Sequence, residues 1–352
     1  MKAVEQELCR LTKHLGCAQV REIPVPNLSS YLQDVVRATG SGDVSLEDAT
    51  CHVQKIRRYQ NILDALLQQP QVAQRSPEWF DLRKNRLTAS DVAQALNKGK
   101  FGTKQQLISK KAFPDNHPFI TNPALQWGVM FEPMAERSYT QRHHDTKVYE
   151  FGLIPHPDIS CFGASPDGIT EQGIMLEFKC PLRRKIDGTI PEQYELQMQG
   201  QMAVCGLAEC DYVECDMQRL SGVDEYLQLV PNKERRDHGI IIGKNVVSDD
   251  GSTSLQYMYS PPYLTPSEAV EWMELTVSGI QEEHPKIVIW KLRKINIMRV
   301  TFDETRWGEM IPLIQAFWQE VETARTLPPP DTAPGKTSGK RKKFEFIDDD
   351  ES

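Results

Sequence analysis

Three charged residues near the middle of the chain have the types and spacing that hydrolytic chemistry needs. Asp167 stands between Pro166 and Gly168, a setting for a bend rather than for mid-strand. Glu171-Gln172-Gly173 reads as a hairpin turn, and Ile174, Met175, Leu176 and Phe178 follow as an apolar run of strand length. Within that run stand Glu177 and Lys179, two apart and so on one face of a strand. Two like-facing charges on an apolar strand are costly to bury unless paired or bound to a metal. A hairpin would return Asp167 to the side of Glu177. An Asp, a Glu and a Lys at one end of a sheet form a kit for holding a hard divalent cation and activating a water.

Other elements must hold that hairpin in place. Residues 147–155 and 159–164 read as strands leading into Asp167, and a helix opens at Pro191 after Cys180-Pro181. Residues 211–217 alternate as a strand and should lie beside the one bearing Glu177. Strands, helix, then strand predict an α/β core, a mixed sheet flanked by helices. Upstream, Ser76-Pro77-Glu78 is a helix start, and Thr88-Ala89-Ser90-Asp91 resembles a capping box opening a second helix through Leu96. Thr121-Asn122-Pro123 opens a long helix to about His144, with Pro133 inside it. Residues 239–247 and 286–300 read as strands, and 266–283 and 303–325 as helices.

Residues 1 to about 70 read as helical, with Leu8, Leu11, Leu15, Tyr59, Ile62, Leu63 and Leu66 at three- and four-residue spacing. This yields a domain division of 1–75, a helical extension serving as cover for the core; 76–325, the main domain with its motifs in 76–220; and 326–352, a charged tail expected to be disordered. The tail carries a basic run, Lys340 to Lys343, that reads as a nuclear address or a nonspecific DNA contact.

Net charge is −8 over 352 residues, which does not announce a nucleic-acid binder. The distribution is more telling. Residues 83–111 hold eight Lys or Arg against the single acid Asp91, and Arg183-Arg184-Lys185 follows the Glu177 strand. Basic segments beside an acidic site suit a phosphate backbone entering a metal centre. No apolar run approaches membrane-spanning length and the first ten residues are too polar for a signal peptide, so an intracellular protein is expected. The eight cysteines contain no Cys-x-x-Cys, and the spacing of Cys205, Cys210 and Cys215 does not resemble a compact iron–sulfur run.

Asp167, Glu177-x-Lys179 and the proline before the Asp resemble the PD-(D/E)-x-K nuclease signature. The longer wording, Ser165-Pro166-Asp167-Gly168 and then Glu177-Phe178-Lys179-Cys180-Pro181, resembles the lambda-exonuclease or YqaJ-type viral recombinase family, including the alkaline nucleases of large DNA viruses. Trp79-x-x-x-Arg83 and Thr88-Ala89-Ser90 are similar to that family's N-terminal motif. The resemblance implies a PD-(D/E)-x-K core and a metal-dependent exonuclease, working 5′ to 3′ on linear double-stranded DNA. It would make single strands for a separate annealing protein, working as a homo-oligomeric ring.

Residue by residue, the resemblance implies that Arg83 and Ser90 bind phosphate at a DNA end, beside Trp79 and Arg86. Gly128-x-x-x-Glu132 matches the helix whose Glu joins the metal site, with Glu136 in reserve. Gln197 and Gln199 match a Gln-x-Gln that orients water or contacts DNA, and Tyr194 is placed to touch the scissile phosphate. Asp167, Glu177 and Glu132 would hold Mg²⁺, with Mn²⁺ as a substitute, since all are hard oxygen donors. Lys179 would steer or deprotonate the attacking water, its pKa lowered by adjacent positive charge. The rival readings are an endonuclease or resolvase on the same core, and a non-catalytic DNA-binding protein.

Overall fold

The computed structural model describes residues 46–117, 122–143, 145–230, 237–247, 253–280 and 285–329. The expectations for residues 1–45, for His144 and for the tail with Lys340 to Lys343 lie outside the described residues.

Helix α1 (Leu46–Leu67) opens the description, followed by α2 (Pro77–Lys84), β1 (Leu87–Thr88), the short α3 (Val92–Ala95), α4 (Lys104–Ala112) and α5 (Pro123–Arg142). Strands β2 (Val148–Tyr149), β3 (Ile154–Pro155), β4 (Phe162–Ala164), β5 (Gly168–Thr170) and β6 (Met175–Lys179) come next. Then come α6 (Glu192–Cys205), β7 (Glu209–Arg219), α7 (Val223–Leu227), β8 (His238–Val247), β9 (Thr253–Tyr259), α8 (Pro266–Ser278), β10 (Lys286–Thr301) and α9 (Glu304–Arg325). The expected α/β architecture is present: a seven-strand mixed sheet ordered β2-β5-β6-β7-β10-β8-β9, and a three-strand sheet β1-β4-β3, with helices around them.

The helix starts follow from their caps. Ser76 Oγ accepts from the Trp79 amide at 3.2 Å with Pro77 in the first turn, and Asn122 Oδ1 accepts from Leu125 N at 2.9 Å. Thr265 and Glu268 close a full capping box on α8. The box expected at Thr88 is absent. Thr88 instead ends β1, residues 89–91 form a 3₁₀ turn, and the Thr88 hydroxyl donates to Asp91 Oδ2 at 3.0 Å. The single strand expected over 147–155 is two, because the chain leaves the large sheet after Tyr149 and joins the small one at Ile154.

β6 divides the core by simple alternation. Met175 faces a cluster built by α1, α3, α4, α6 and α9, while Leu176 and Phe178 face α5 through Phe131, Met134 and Tyr139. A third cluster packs α8 on β8 through Ala269, Met273, Ile240 and Ile242. Tyr59, Leu63 and Leu66 of α1 are buried in the first cluster, so this helix does cover the core. No helix among the described residues is long and apolar enough to cross a membrane.

α1 meets the β5–β6 hairpin at its turn. Gly173 has φ +77°, and a Cβ there would lie 2.1 Å from Cβ of Tyr59. Gly173→Ala is therefore expected to cost about 1–3 kcal/mol, combining left-handed backbone strain with overpacking. Urea unfolding checks this through the midpoint at unchanged slope.

Candidate active site

The hairpin places its acids side by side. Gly168 pairs with Leu176 across β5 and β6, which sets Asp167 opposite Glu177 at the mouth of the hairpin. Asp167 Oδ2 accepts from the Phe178 amide at 2.7 Å, so the bend is clamped to β6. Lys179 reaches back along the same face and pairs with Glu177, as the i, i+2 spacing requires. Glu177 is fully buried and β6 runs parallel to β7 beneath it.

A buried carboxylate needs donors, and α6 supplies them. Gln197 Nε2 donates to Glu177 Oε1 at 2.7 Å, and Gln201 Nε2 donates to Oε2 at 2.8 Å. These two are one helical turn apart and share a face. Gln199, two residues from each, points the other way: its amide donates to Thr301 O at 2.9 Å and accepts from Asp303 N at 2.8 Å. Gln199, expected to contact water or DNA, thus ties α6 to the start of α9. Gln201 is the partner that the Gln-x-Gln reading missed; the i, i+4 spacing from Gln197 was the available signal.

Glu132 of α5 comes to the same end of the sheet and forms an ion pair with Arg75, 3.0 Å from Nη2 to Oε2. Glu136, the reserve, is also half-buried on α5. Burial and the neighbouring Glu177 and Glu132 carboxylates push Asp167 well above the usual carboxyl range, against the pull of Lys179 and the Phe178 amide. Burial, offset in part by Arg75 and Lys179, raises Glu132 as well. Burial alone would lower Lys179, but Glu177 and Asp167 win and raise it. The lowering expected for Lys179 presupposed an adjacent cation; between carboxylates the ammonium holds its proton.

The donor set fits a hard divalent ion. Burial first, and then the facing acids, disfavour charge on Asp167; positive charge would relieve this, and all the acids offer oxygen. Among the described residues no group of three or more His, Cys, Asp or Glu side chains is already arranged to hold a metal ion, consistent with Glu132 being turned to Arg75. Among the described residues, Cys205 and Cys210 lie in one core cluster and Cys180 and Cys215 in another, and burial pushes the Cys205 thiol up to about 12.

A second group lies beside the first. Arg83 Nη2 donates to Ser90 Oγ at 3.0 Å and to Thr88 Oγ1 at 3.2 Å, with its guanidinium 4.2 Å from the Trp79 ring centroid. Trp79 Nε1 in turn donates to Ser165 Oγ at 3.1 Å, two residues before Asp167. One indole therefore joins the Arg83–Ser90 pair to the acidic hairpin. Arg86 is half-buried and donates to Leu82 O at 3.4 Å. Lys111, counted in the basic segment expected to meet a phosphate backbone, is instead buried, donating to Arg83 O at 3.0 Å and pairing with Asp91 at 3.2 Å. It ties the end of α2 at Arg83 to Asp91.

Tyr194 stands at the outer side of the acids. Its ring centroid is 5.0 Å from Lys179 Nζ and 5.9 Å from the Arg184 guanidinium, and it stacks on Tyr212 at 5.9 Å. Arg184 pairs with the fully buried Glu214, which also accepts from Tyr212 Oη at 3.1 Å. At least one cation of the 183–185 cluster is thereby held next to the site.

The fold and site define an α/β domain with a carboxylate–carboxylate–lysine cluster at one end of a mixed sheet and an arginine bonded to two hydroxyls beside it. Residues 78–208 match the family model of the YqaJ-like viral recombinase domain. An uncharacterized protein of Acanthamoeba polyphaga mimivirus is 26% identical over 299 residues, which is 74% of this chain and 54% of that protein. The chain thus spans about half the length of this curated relative. An alkaline exonuclease, LHK-Exo, from Laribacter hongkongensis is 25% identical, with a TM-score of 0.44 covering 71% of this chain and 95% of that one. LHK-Exo in complex with dAMP gives 23% identity and a TM-score of 0.46 over the same shares.

Proposed function

We propose that the protein is a metal-dependent DNA exonuclease that hydrolyses phosphodiesters from the ends of linear duplexes, 5′ to 3′. The observation that carries this reading is the joined pair of sites: acids and lysine on the hairpin, and Arg83 with Ser90 linked to them through Trp79 and Ser165. A planar guanidinium with a hydroxyl beside it suits a terminal phosphate. The YqaJ-like match over 78–208 supports the same reading, since it spans both groups.

Asp167, Glu177 and Glu132, with a main-chain carbonyl next to Glu177, would hold Mg²⁺, with Mn²⁺ as a substitute. Bound there, the ion supplies charge that polarises the phosphate and stabilises the leaving oxygen. Glu177 is kept in place by Gln197 and Gln201. Lys179, hydrogen-bonded to Glu177 and near the Tyr194 ring, would orient the attacking water and, with a cation beside it, would take its proton. Tyr194 and Arg184 would lie along the scissile strand. On this reading 76–325 is the exonuclease domain, and the single strands it leaves serve an annealing partner. Assembly into a ring belongs to the same proposal.

Digestion of end-labelled linear duplexes with and without a 5′ phosphate tests the reading. Faster cutting of phosphorylated ends in Mg²⁺ is expected, and Arg83→Ala should erase that preference, a loss of about tenfold for one charge-assisted contact. Nicking of closed circular plasmid at a comparable rate would replace the exonuclease by an endonuclease. Duplex binding with no hydrolysis in Mg²⁺ or Mn²⁺ would leave a DNA-binding protein.

A further inference from the structure

Arg75 does not reach Glu132 by chance of side-chain drift; its backbone is held. The segment from Gln71 to Ser76 lies against Phe151, Gly152 and Pro166. Gln71 Oε1 accepts from Gly152 N at 3.3 Å, and Gln74 Nε2 donates to Phe151 O at 2.9 Å and to Pro166 O at 3.2 Å. The Val72 carbonyl lies where a Cβ on residue 152 would be, 1.9 Å away, so only glycine admits this approach. Ser76 N closes a turn on Ala73 O at 3.2 Å, and Arg75 itself has φ +66°, a left-handed conformation that few residues other than glycine adopt. The result is a guanidinium aimed at Glu132, with one nitrogen 3.0 and 3.3 Å from the two carboxylate oxygens. The contact remains partly open, with 48% of the Arg75 side chain and 33% of the Glu132 side chain exposed.

A guanidinium and a divalent ion cannot share one carboxylate at close range without strong mutual repulsion. We propose that Arg75 is the resident counter-cation of Glu132, which a divalent ion must displace before Glu132 can join Asp167 and Glu177. Arg75 thereby sets the ion concentration at which the site fills. The proposal rests on the ion-dependent reading of the site given above. It predicts that removing the favourable Arg75–Glu132 contact tightens ion binding, the opposite of what loss of an orienting partner would do.

The test is calorimetric titration of the full chain with Mg²⁺, without DNA, so that catalysis plays no part. The wild-type protein is expected to bind in a manner that Asp167→Asn weakens. Arg75→Gln should bind about fivefold more tightly, the upper range for an exposed ion pair. Arg75→Lys, which keeps the charge, should stay near wild type. Glu132→Gln should weaken binding, and adding Arg75→Gln to it should change nothing further, since the two act through one contact. Unchanged or weaker binding by Arg75→Gln, with its melting curve intact, overturns the proposal while leaving the ion site standing. Absence of any Asp167-dependent binding overturns the ion site itself, and this proposal with it.

Discussion

Asp167→Asn is expected to abolish cleavage and yet to make the ion-free protein more stable at neutral and alkaline pH. The loss of activity should reach ~10³-fold or more, since a metal-linked charge is worth several kcal/mol in the transition state. Duplex binding through Arg83 and Ser90 should survive. The gain in stability follows from the direction of the Asp167 shift. Burial first, then Glu177 and Glu132, raise this carboxyl in the folded chain. A raised carboxyl holds its proton more tightly when folded. Its favourable contribution is therefore complete below the unfolded value, about pH 4, and is lost as pH climbs through the folded value. Above that, a charged Asp167 opposes folding. Asparagine removes the charge and keeps an oxygen to accept from the Phe178 amide. The melting temperature should rise by about 2–4 °C for each kcal/mol recovered. Added Mg²⁺ should raise the wild-type melting temperature and not that of the variant. A variant that melts lower than wild type at pH 8 without the ion would show that the acids are not in conflict.

Gln201→Met should lower activity by about 10–100-fold with little change in the fold, the range for a residue that orients a ligand without being one. Gln201 is 1% exposed and is one of two amides donating to Glu177. Methionine fills the space but leaves one oxygen of a buried carboxylate without its donor, and hydrogen bonds to charged groups carry about 1.5–3 kcal/mol. Glu177 would then turn further toward Lys179. Gln199→Met supplies the contrast. Gln199 bonds only to Thr301 and Asp303 in the described structure, so its loss should lower stability through α9 and leave the rate per folded molecule nearly unchanged. Comparable losses of rate in both variants would contradict the division of labour on α6.

Much of the site was legible because its parts are close in the chain. The bend at Pro166-Asp167-Gly168, the turn at Gly173 and the strand through Glu177 and Lys179 form one hairpin, whose register follows from the turn and the apolar alternation. The caps at Ser76 and Asn122 act within a few residues, so the starts of α2 and α5 could be read directly. Strand β9 was not foreseen, since Thr253–Tyr259 at a sheet edge lacks a continuous apolar run and takes its place from pairing with β8.

Sequence alone determined that an Asp, a Glu and a Lys would meet at the end of a sheet, because a hairpin and a two-residue period leave little freedom. Tertiary structure decided which partners meet them. The rotation of α6 about its axis, set by packing on β4 and β7, turns Gln197 and Gln201 toward Glu177 and Gln199 away. The packing of Gln71 to Ser76 against Gly152 brings Arg75 to Glu132 across 57 positions of chain. Lys111 became a buried brace through its approach to Asp91. Contacts of that separation depend on how whole elements pack, and no local pattern of residue types encodes the angle at which two packed elements come to rest.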